Sequence, residues 1–283
     1  MSKTPPRLTS PREVAAYLKE KGMSPLKKFG QNFLCDENIL HKIADAACPE
    51  GACVLEIGMG LGALTLVLAA RASRLVTVEI DRGLIRAQRV DIGLPDNAVL
   101  VEGDILETDL EAAAASFGDQ PFYVCGNLPY YITGRILMLL LESLLPIHAI
   151  TAMVQKEVAD RLAARPGDSD YGALTALAGY YSAPETLFTV SSSCFYPAPD
   201  VDSAIIRIEL AHPAVTAVPF ADYRRIVNAA FAMRRKTIQN NLRSIFGSET
   251  ASVLESCGIR AAARAHELTP EQFACLAERE RQK

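Results

Sequence analysis

The stretch "CVLEIGMGLGALTLVLAARA", Cys53 to Ala72, decides the fold. Cys53–Ile57 is an apolar run of strand length broken only by Glu56, and residues 62–72 have helical length and spacing. Gly58, Gly60 and Gly62 join the two, so the chain turns from strand into helix where bare backbone lets a ligand come close. The spacing is G-x-G-x-G after an acid. It differs from the G-x-G-x-x-G of dinucleotide folds, and no Lys-Ser/Thr follows as a phosphate loop requires. Taken alone, the motif also fits a tight turn with no ligand.

The same rhythm continues on the C-terminal side. "RLVTVEI" (74–80), "NAVLVEG" (97–103), "FYVCGN" (122–127) and "HAITAMV" (148–154) are further apolar runs, and "GRILMLLLESLL" (134–145) reads as a helix. Alternation of this kind predicts a parallel sheet covered by helices on both faces, an α/β fold whose ligands bind beyond the carboxyl ends of the strands. After "SAIIRIEL" (203–210), the stretch "HPAVTAVPF" (212–220) has two prolines and no helical period and reads as a linker. Residues 221–283 have helical spacing and no convincing strand, which predicts a small C-terminal helical domain.

The strand ends carry chemistry. Glu79 lies 17 residues after Gly62, near the offset at which such folds set an acid against ribose hydroxyls, and Asp104 ends the next strand, placed to accept from an adenine amine. A glycine turn with two acids and no anion cradle suits S-adenosylmethionine. The fourth strand ends in Asn127-Leu128-Pro129-Tyr130. An exocyclic amine is a poor nucleophile, because its lone pair is conjugated into the ring. The Asn127 side-chain oxygen and the Leu128 carbonyl can accept its two protons and aim the lone pair, Pro129 stiffens the turn, and Tyr130 offers a face for a flipped-out base. A turn with a buried Tyr would explain the proline and the ring but not the asparagine.

Composition sets outer bounds. The 283 residues are 49% apolar and 22% charged, as in ordinary globular proteins, and no apolar run reaches the roughly 18 residues of a membrane span. The N-terminus is basic and polar without the apolar core of a secretory signal, which predicts a cytoplasmic protein. Seven scattered cysteines with no C-x-x-C read as buried thiols, and four histidines without ligand spacing predict no metal. The net charge is −4, yet residues 1–28 and 221–243 each carry +5. Such asymmetry suits a protein that meets a polyanion on one face, although two solvated basic stretches would give the same pattern.

Together, "KKFGQNFL" (27–34), "VLEIGMGLGALT" (54–65), "VEID" (78–81), "GD" (103–104), "GNLPYYI" (126–132), "MVQKEVADRL" (153–162), "FYPAPDVDS" (195–203) and "FAMRRKTIQNNL" (231–242) resemble the ribosomal RNA adenine dimethyltransferases. The resemblance covers nearly everything after residue 25. It implies a Rossmann-like methyltransferase domain over 26–211 and a helical RNA-binding domain over 212–283, preceded by a flexible basic segment with a short helix over 1–25. It further implies S-adenosylmethionine as cofactor, with Asn32 and Leu34 covering it, Gly58 and Gly60 approaching it, and Glu79, Asp104 and Asn127 holding it. Asn127, Leu128 and Tyr130 would hold the target adenine, with Phe195 stacking on its other face. Lys156, Arg161, Arg234, Arg235 and Lys236 would meet RNA phosphates. Two positions depart from the usual pattern: Met59 stands where many members have Pro, and Tyr131 where bacterial members often have Asn.

The activity so implied is dimethylation of two adjacent adenines near the 3′ end of small-subunit 16S rRNA, by a monomer acting on a pre-30S particle. Its rivals are a resistance methyltransferase acting on large-subunit rRNA, a DNA adenine methyltransferase, and a non-catalytic RNA-binding assembly or transcription factor of the same fold. Intact cofactor and Asn127 motifs favour an enzyme over the last of these.

Overall fold

The apolar runs become strands. In the computed structural model, which describes residues 8–26, 29–143, 145–215, 218–233 and 235–283, the strands are β1 (Phe33–Leu34), β2 (Cys53–Ile57), β3 (Arg74–Glu79), β4 (Ala98–Glu102), β5 (Phe122–Asn127), β6 (Ile147–Gln155), β7 (Glu185–Val190), β8 (Phe195–Tyr196) and β9 (Ser203–Glu209). Seven form one sheet in the order β4-β3-β2-β5-β6-β9-β7, and β1 pairs antiparallel with β8 in a separate ribbon. The pairs β2–β3, β3–β4, β2–β5 and β5–β6 are parallel. β2 is buried at all five positions, as a strand covered on both faces must be.

The helices are α1 (Pro11–Glu20), α2 (Glu37–Ala47), α3 (Ala63–Arg71), α4 (Arg82–Ala87), α5 (Leu110–Ala114), α6 (Thr133–Glu142), α7 (Lys156–Leu162), α8 (Ala173–Ala178), α9 (Phe220–Phe231), α10 (Ile238–Phe246), α11 (Thr250–Ser256) and α12 (Pro270–Arg281). Asp36, Asp81 and Asp109 cap α2, α4 and α5 by accepting from first-turn amides, which would otherwise lack partners. α3 is different. Its N-cap is Gly62 at φ 81°, with no side-chain cap, so the glycine turn leaves the first amides of this helix without a side-chain partner.

Two compact units emerge from the contacts: Met1–Leu139 with Leu144–Lys156 and Thr186–Arg207, and Leu140–Ser143 with Glu157–Glu185 and Ile208–Lys283. In the first, α2 and α3 bury Leu40, Ile43 and Leu68 with Val54, Leu75 and Ile205 of the sheet. A second cluster joins Val14, Tyr17 and Leu18 of α1 to Phe33, Leu61 and Leu84. In the second unit Tyr223 of α9 is fully buried, its hydroxyl donating to the Ala176 carbonyl at 2.8 Å, and packs near Phe273 of α12.

Several sequence expectations meet a different structure. The stretch 212–220, read as a linker, packs at its described residues: Val215 and Val218 are buried, and Tyr180 donates to the Val218 carbonyl at 2.8 Å. Cys257 and Cys275 are not thiols but a disulfide joining the end of α11 to α12, and Cys194 is only half buried. Leu8, inside the first ten residues, is buried against the α1 cluster.

The chain runs β2, β3, β4 outward to one edge and returns to β5 on the other side of β2. The crevice between the ends of β2 and β5 is thus the switch point of the sheet, where such folds bind ligands. Gly126 permits it. A Cβ at Gly126 would overlap the Ile57 carbonyl oxygen of β2, so only a bare α-carbon lets β5 lie in this register. Gly126→Ala therefore lowers stability by about 3 kcal/mol in urea unfolding, as overpacking against rigid backbone does. Gly134→Ala, where a Cβ meets nothing within 4 Å, is neutral or stabilising by up to about 1 kcal/mol. Equal effects of the two would contradict this account of the register.

Candidate active site

A cleft opens at the switch point, lined from the glycine turn, the ends of β3, β4 and β5, and residues 29–34. It brings together Asn32, Leu34, Gly58, Gly60, Glu79, Asp104, Asn127, Leu128 and Tyr130 from the sequence reading. No Lys, Arg or His is among the described residues that line it.

Gly58 and Gly60 adopt φ of 81° and 59°, conformations that favour glycine. A Cβ on Gly58 would lie 3.5 Å from the Asn127 carbonyl, and one on Gly60 would lie 3.5 Å from the Phe33 ring, so the turn forms a narrow floor to the cleft. Glu79 locks that turn. Its Oε2 accepts from the Gly60 amide at 2.9 Å, and its Oε1 accepts from the amides of Ile80 and Asp81 at 2.9 and 2.8 Å. Burial nonetheless raises its pKa, because desolvation outweighs those three amides. Asp104 is half buried, and one of its oxygens accepts from the Leu106 amide at 2.9 Å. Asp81 is committed elsewhere, to the α4 cap and to the Gln31 side-chain amide at 2.6 Å.

The end of β5 has the feature that decides the chemistry. The Asn127 side-chain NH2 donates to the Asn32 carbonyl at 3.0 Å, which sets the amide so that its oxygen remains the acceptor. Neither that oxygen nor the Leu128 carbonyl accepts a hydrogen bond from the described residues, whereas the next carbonyl, Pro129, accepts from both Ile132 N–H and the Thr133 hydroxyl. Two acceptors on adjacent cleft-lining residues are thus left without a partner among the described residues. Tyr130 is held by a 2.8 Å hydrogen bond between its hydroxyl and that of Ser203, and burial raises its pKa.

Other predicted residues lie differently. Phe195 does not line the cleft: it is 2% exposed, paired with Leu34 across the β1–β8 ribbon and packed in the α2–α3 core, so no ring face is open for stacking. Arg161 pairs with Glu157 at 2.8 Å. The backbone N–H of Lys156 donates to the Asp202 carbonyl at 3.0 Å. Arg235 and Lys236 are exposed in the turn between α9 and α10 rather than on a helix, and Arg234, like Lys27 and Lys28, lies outside the described residues. Among the described residues no three His, Cys, Asp or Glu come together in a way that could hold a metal. Glu56, which the sequence offered only as the acid before the turn, is fully buried under it. Its Oε2 accepts from the Thr65 hydroxyl at 2.7 Å, and burial pushes its pKa up to about 8.

The fold defines a Rossmann-like α/β sheet with an open cleft at its switch point, and comparison with known proteins gives the class. The ribosomal RNA adenine dimethylase family model matches residues 24–282. Ribosomal RNA small subunit methyltransferase A of Moorella thermoacetica is 43% identical over 280 residues, covering 95% of this chain and 97% of that one. The protein of the same name from Geobacillus thermodenitrificans is 42% identical, with 95% of each covered. Among solved structures, a dimethyladenosine transferase from Plasmodium falciparum matches with a TM-score of 0.67 at 26% identity, covering 84% of this chain and 94% of that one. The 23S rRNA methyltransferase ErmE matches with a TM-score of 0.65 at 30% identity, covering 89% and 100%. The chain belongs to the ribosomal RNA adenine dimethylase family. It is an S-adenosylmethionine-dependent enzyme that dimethylates adenine in rRNA.

The buried Glu56 makes a pH test of the floor beneath this site. Its folded pKa of about 8 exceeds the free value of 4.5, so between those limits the folded chain keeps a proton that the unfolded chain loses. This group's contribution is therefore complete at low pH and declines as pH rises to about 8, by up to about 1.4 kcal/mol per pH unit. Glu56→Gln, an isostere of the neutral acid, is more stable than the native chain above pH 8, and the gain shrinks to nothing near pH 4.5. Urea unfolding at a series of pH values measures it; parallel curves would contradict a neutral buried acid.

Proposed function

We propose that the enzyme dimethylates two adjacent adenines near the 3′ end of small-subunit rRNA, acting as a cytoplasmic monomer on an assembling small-subunit particle. The observation that carries this reading is the pair of free acceptors, Asn127 Oδ1 and Leu128 O, beside a glycine turn with two acids. Adenine's amine has two N–H donors, and a pair of neighbouring acceptors is their complement.

The residues present fit S-adenosylmethionine. Oε2 of Glu79 has one amide partner and a second lone pair for a ribose hydroxyl, and Asp104 has a carboxylate oxygen with no partner among the described residues for the adenine amine. Asn32 and Leu34 cover the cofactor, Gly58 and Gly60 approach it, and Asn127 borders it. A cleft lined by acids, with no cation among its described residues, suits a sulfonium and not a phosphate. When bound, the cofactor supplies an electrophilic methyl group. Asn127 and Leu128 hold the target amine with its lone pair aimed, the fixed φ of Pro129 stiffens the turn that carries the Leu128 carbonyl, and the Tyr130 ring supports the base. No side-chain base is required: the amine becomes acidic once methylated, and water takes the proton.

Arg235 and Lys236, exposed and without a carboxylate partner among the described residues, support an RNA-binding role for residues 212–283, to which Arg234, Lys156 and Arg161 would add. The likeness to ErmE favours a second reading, an enzyme of large-subunit rRNA. The relatives above 40% identity, matched over nearly their full length, favour the first. Mapping dimethyladenosine in both rRNAs of cells lacking this chain separates them.

Asn127→Ala lowers the single-turnover methyl-transfer rate about 100-fold while changing RNA affinity little, the pattern of an interaction made mainly in the transition state. Tyr130→Phe keeps the ring and is much milder than Tyr130→Ala. Equal losses in rate and RNA affinity for Asn127→Ala would assign it to binding instead. Neutralising Arg234, Arg235 and Lys236 together leaves cofactor affinity intact and flattens the salt dependence of RNA binding by a log–log slope of roughly 1 per lost phosphate contact. An unchanged slope would make the run a solvated turn.

A further inference from the structure

Among the described residues Tyr131 is the one Phe or Tyr side chain that is exposed, at 61%, and it lines the cleft. Its neighbour Tyr130 is half buried with its hydroxyl tied to Ser203, whereas the Tyr131 hydroxyl has no partner among the described residues. The ring is backed at one edge by Gly30, where a Cβ would lie 3.7 Å from Cδ1, so the segment that carries Asn32 also steadies Tyr131. Ile136 N–H donates to the Ile132 carbonyl at 3.0 Å, which starts α6 directly after this residue. Arg135 follows in the first turn of that helix. It is exposed and makes no ion pair with the described residues, and no acid shares the turn with it. A Cβ on Gly134, between the two, would meet nothing within 4 Å, so the backbone there is open.

An open ring, bare backbone and an unneutralised guanidinium at the positive end of a ten-residue helix complement a base and its phosphate. The cleft already presents one anchored ring, Tyr130, to the adenine that reacts. Aromatic side chains in tandem take successive bases of a single strand, because every base has a face to stack. Resting on the reading of the cleft given above, we propose that Tyr131 and Arg135 form a second base site at the mouth of the cleft, which takes the nucleotide adjacent to the target adenine in the same RNA strand. Tyr131 stacks on the base and Arg135 pairs with its phosphate. While one adenine is held at Asn127, the site keeps its neighbour unstacked from the rest of the RNA and one step from the pocket.

The test is single-turnover methylation of small-subunit particles that lack dimethyladenosine, with each adenine quantified separately, for the native chain and the Tyr131→Ala, Tyr131→Phe, Arg135→Gln and Asn127→Ala variants. Affinity for S-adenosylhomocysteine is measured alongside by calorimetry. Tyr131→Ala slows transfer about ten-fold, Tyr131→Phe restores most of the rate, and Arg135→Gln reduces the log–log salt slope of particle binding by roughly 1. An unchanged rate in Tyr131→Ala together with an unchanged slope in Arg135→Gln overturns the second site, as does a loss of S-adenosylhomocysteine affinity in Tyr131→Ala equal to its loss of rate. Asn127→Ala separates the two levels: if it is impaired while Tyr131→Ala and Arg135→Gln are not, only the second site fails, and if it is unimpaired the reading of the whole cleft fails.

Discussion

The approach of β5 to β2 at Gly126, where the Ile57 carbonyl leaves no room for a side chain, is the constraint on which the site depends. It sets the register that carries β5 past the last rung of the sheet beside the glycine turn. Asn127 then stands opposite Met153 of β6, and the Leu128 amide donates to the Met153 carbonyl at 3.1 Å, which fixes the backbone just beyond the strand. The chain turns away before the carbonyl of Leu128 finds a partner. A polar group that most folds would satisfy is thereby held, oriented, at the end of a rigid strand, and orientation is what a weakly nucleophilic amine lacks.

The segment before the sheet completes the arrangement. Residues 29–34 line the cleft, and the Asn32 carbonyl fixes the side chain of Asn127. α1 lies over this segment through Val14, Tyr17 and Leu18, and is tied to the region after α4 by the Lys21–Asp91 ion pair at 2.6 Å and the Tyr17 hydroxyl bond to Asp91 at 3.3 Å. Beneath the cleft, Glu56 and Glu79 lie close enough that the charge of Glu79 helps raise the pKa of Glu56. Of the two acids Glu79 accepts from the Gly60 amide, so this carboxylate holds the turn while Glu56 lies beneath it.

Most of the parallel sheet was legible in the sequence. β2 and β5 have the bounds the apolar runs predict, β3 and β9 differ by one residue at one end, and β4 and β6 by one residue at each end, because buried parallel strands read as continuous apolar runs. The site residues at strand ends followed from that pattern. What was not legible depends on pairings distant in sequence. The β1–β8 ribbon pairs Phe33 with Tyr196 and Leu34 with Phe195, which helps explain why Phe195 is core where the family resemblance implied stacking. The Cys257–Cys275 bond spans 18 residues without a motif, and spacing does not reveal which cysteines meet. β7 reads Glu-Thr-Leu-Phe-Thr-Val, with three polar residues among its six and only Val190 buried, and gives no continuous apolar run. Tyr131 stood out in the sequence only as a departure from the usual Asn, and its exposure is what gives that departure a use.

The central claim is that two carbonyl oxygens orient the amine and that no side-chain base takes part. The single-turnover rate against pH, at saturating RNA and cofactor, tests it most directly. The account predicts a rate that stays level through neutral pH in the native chain and in variants of the two acids that line the cleft, Glu79 and Asp104, once cofactor is saturating. A rise through a pKa near neutrality that vanishes when one of those acids is replaced would identify a general base and contradict the account.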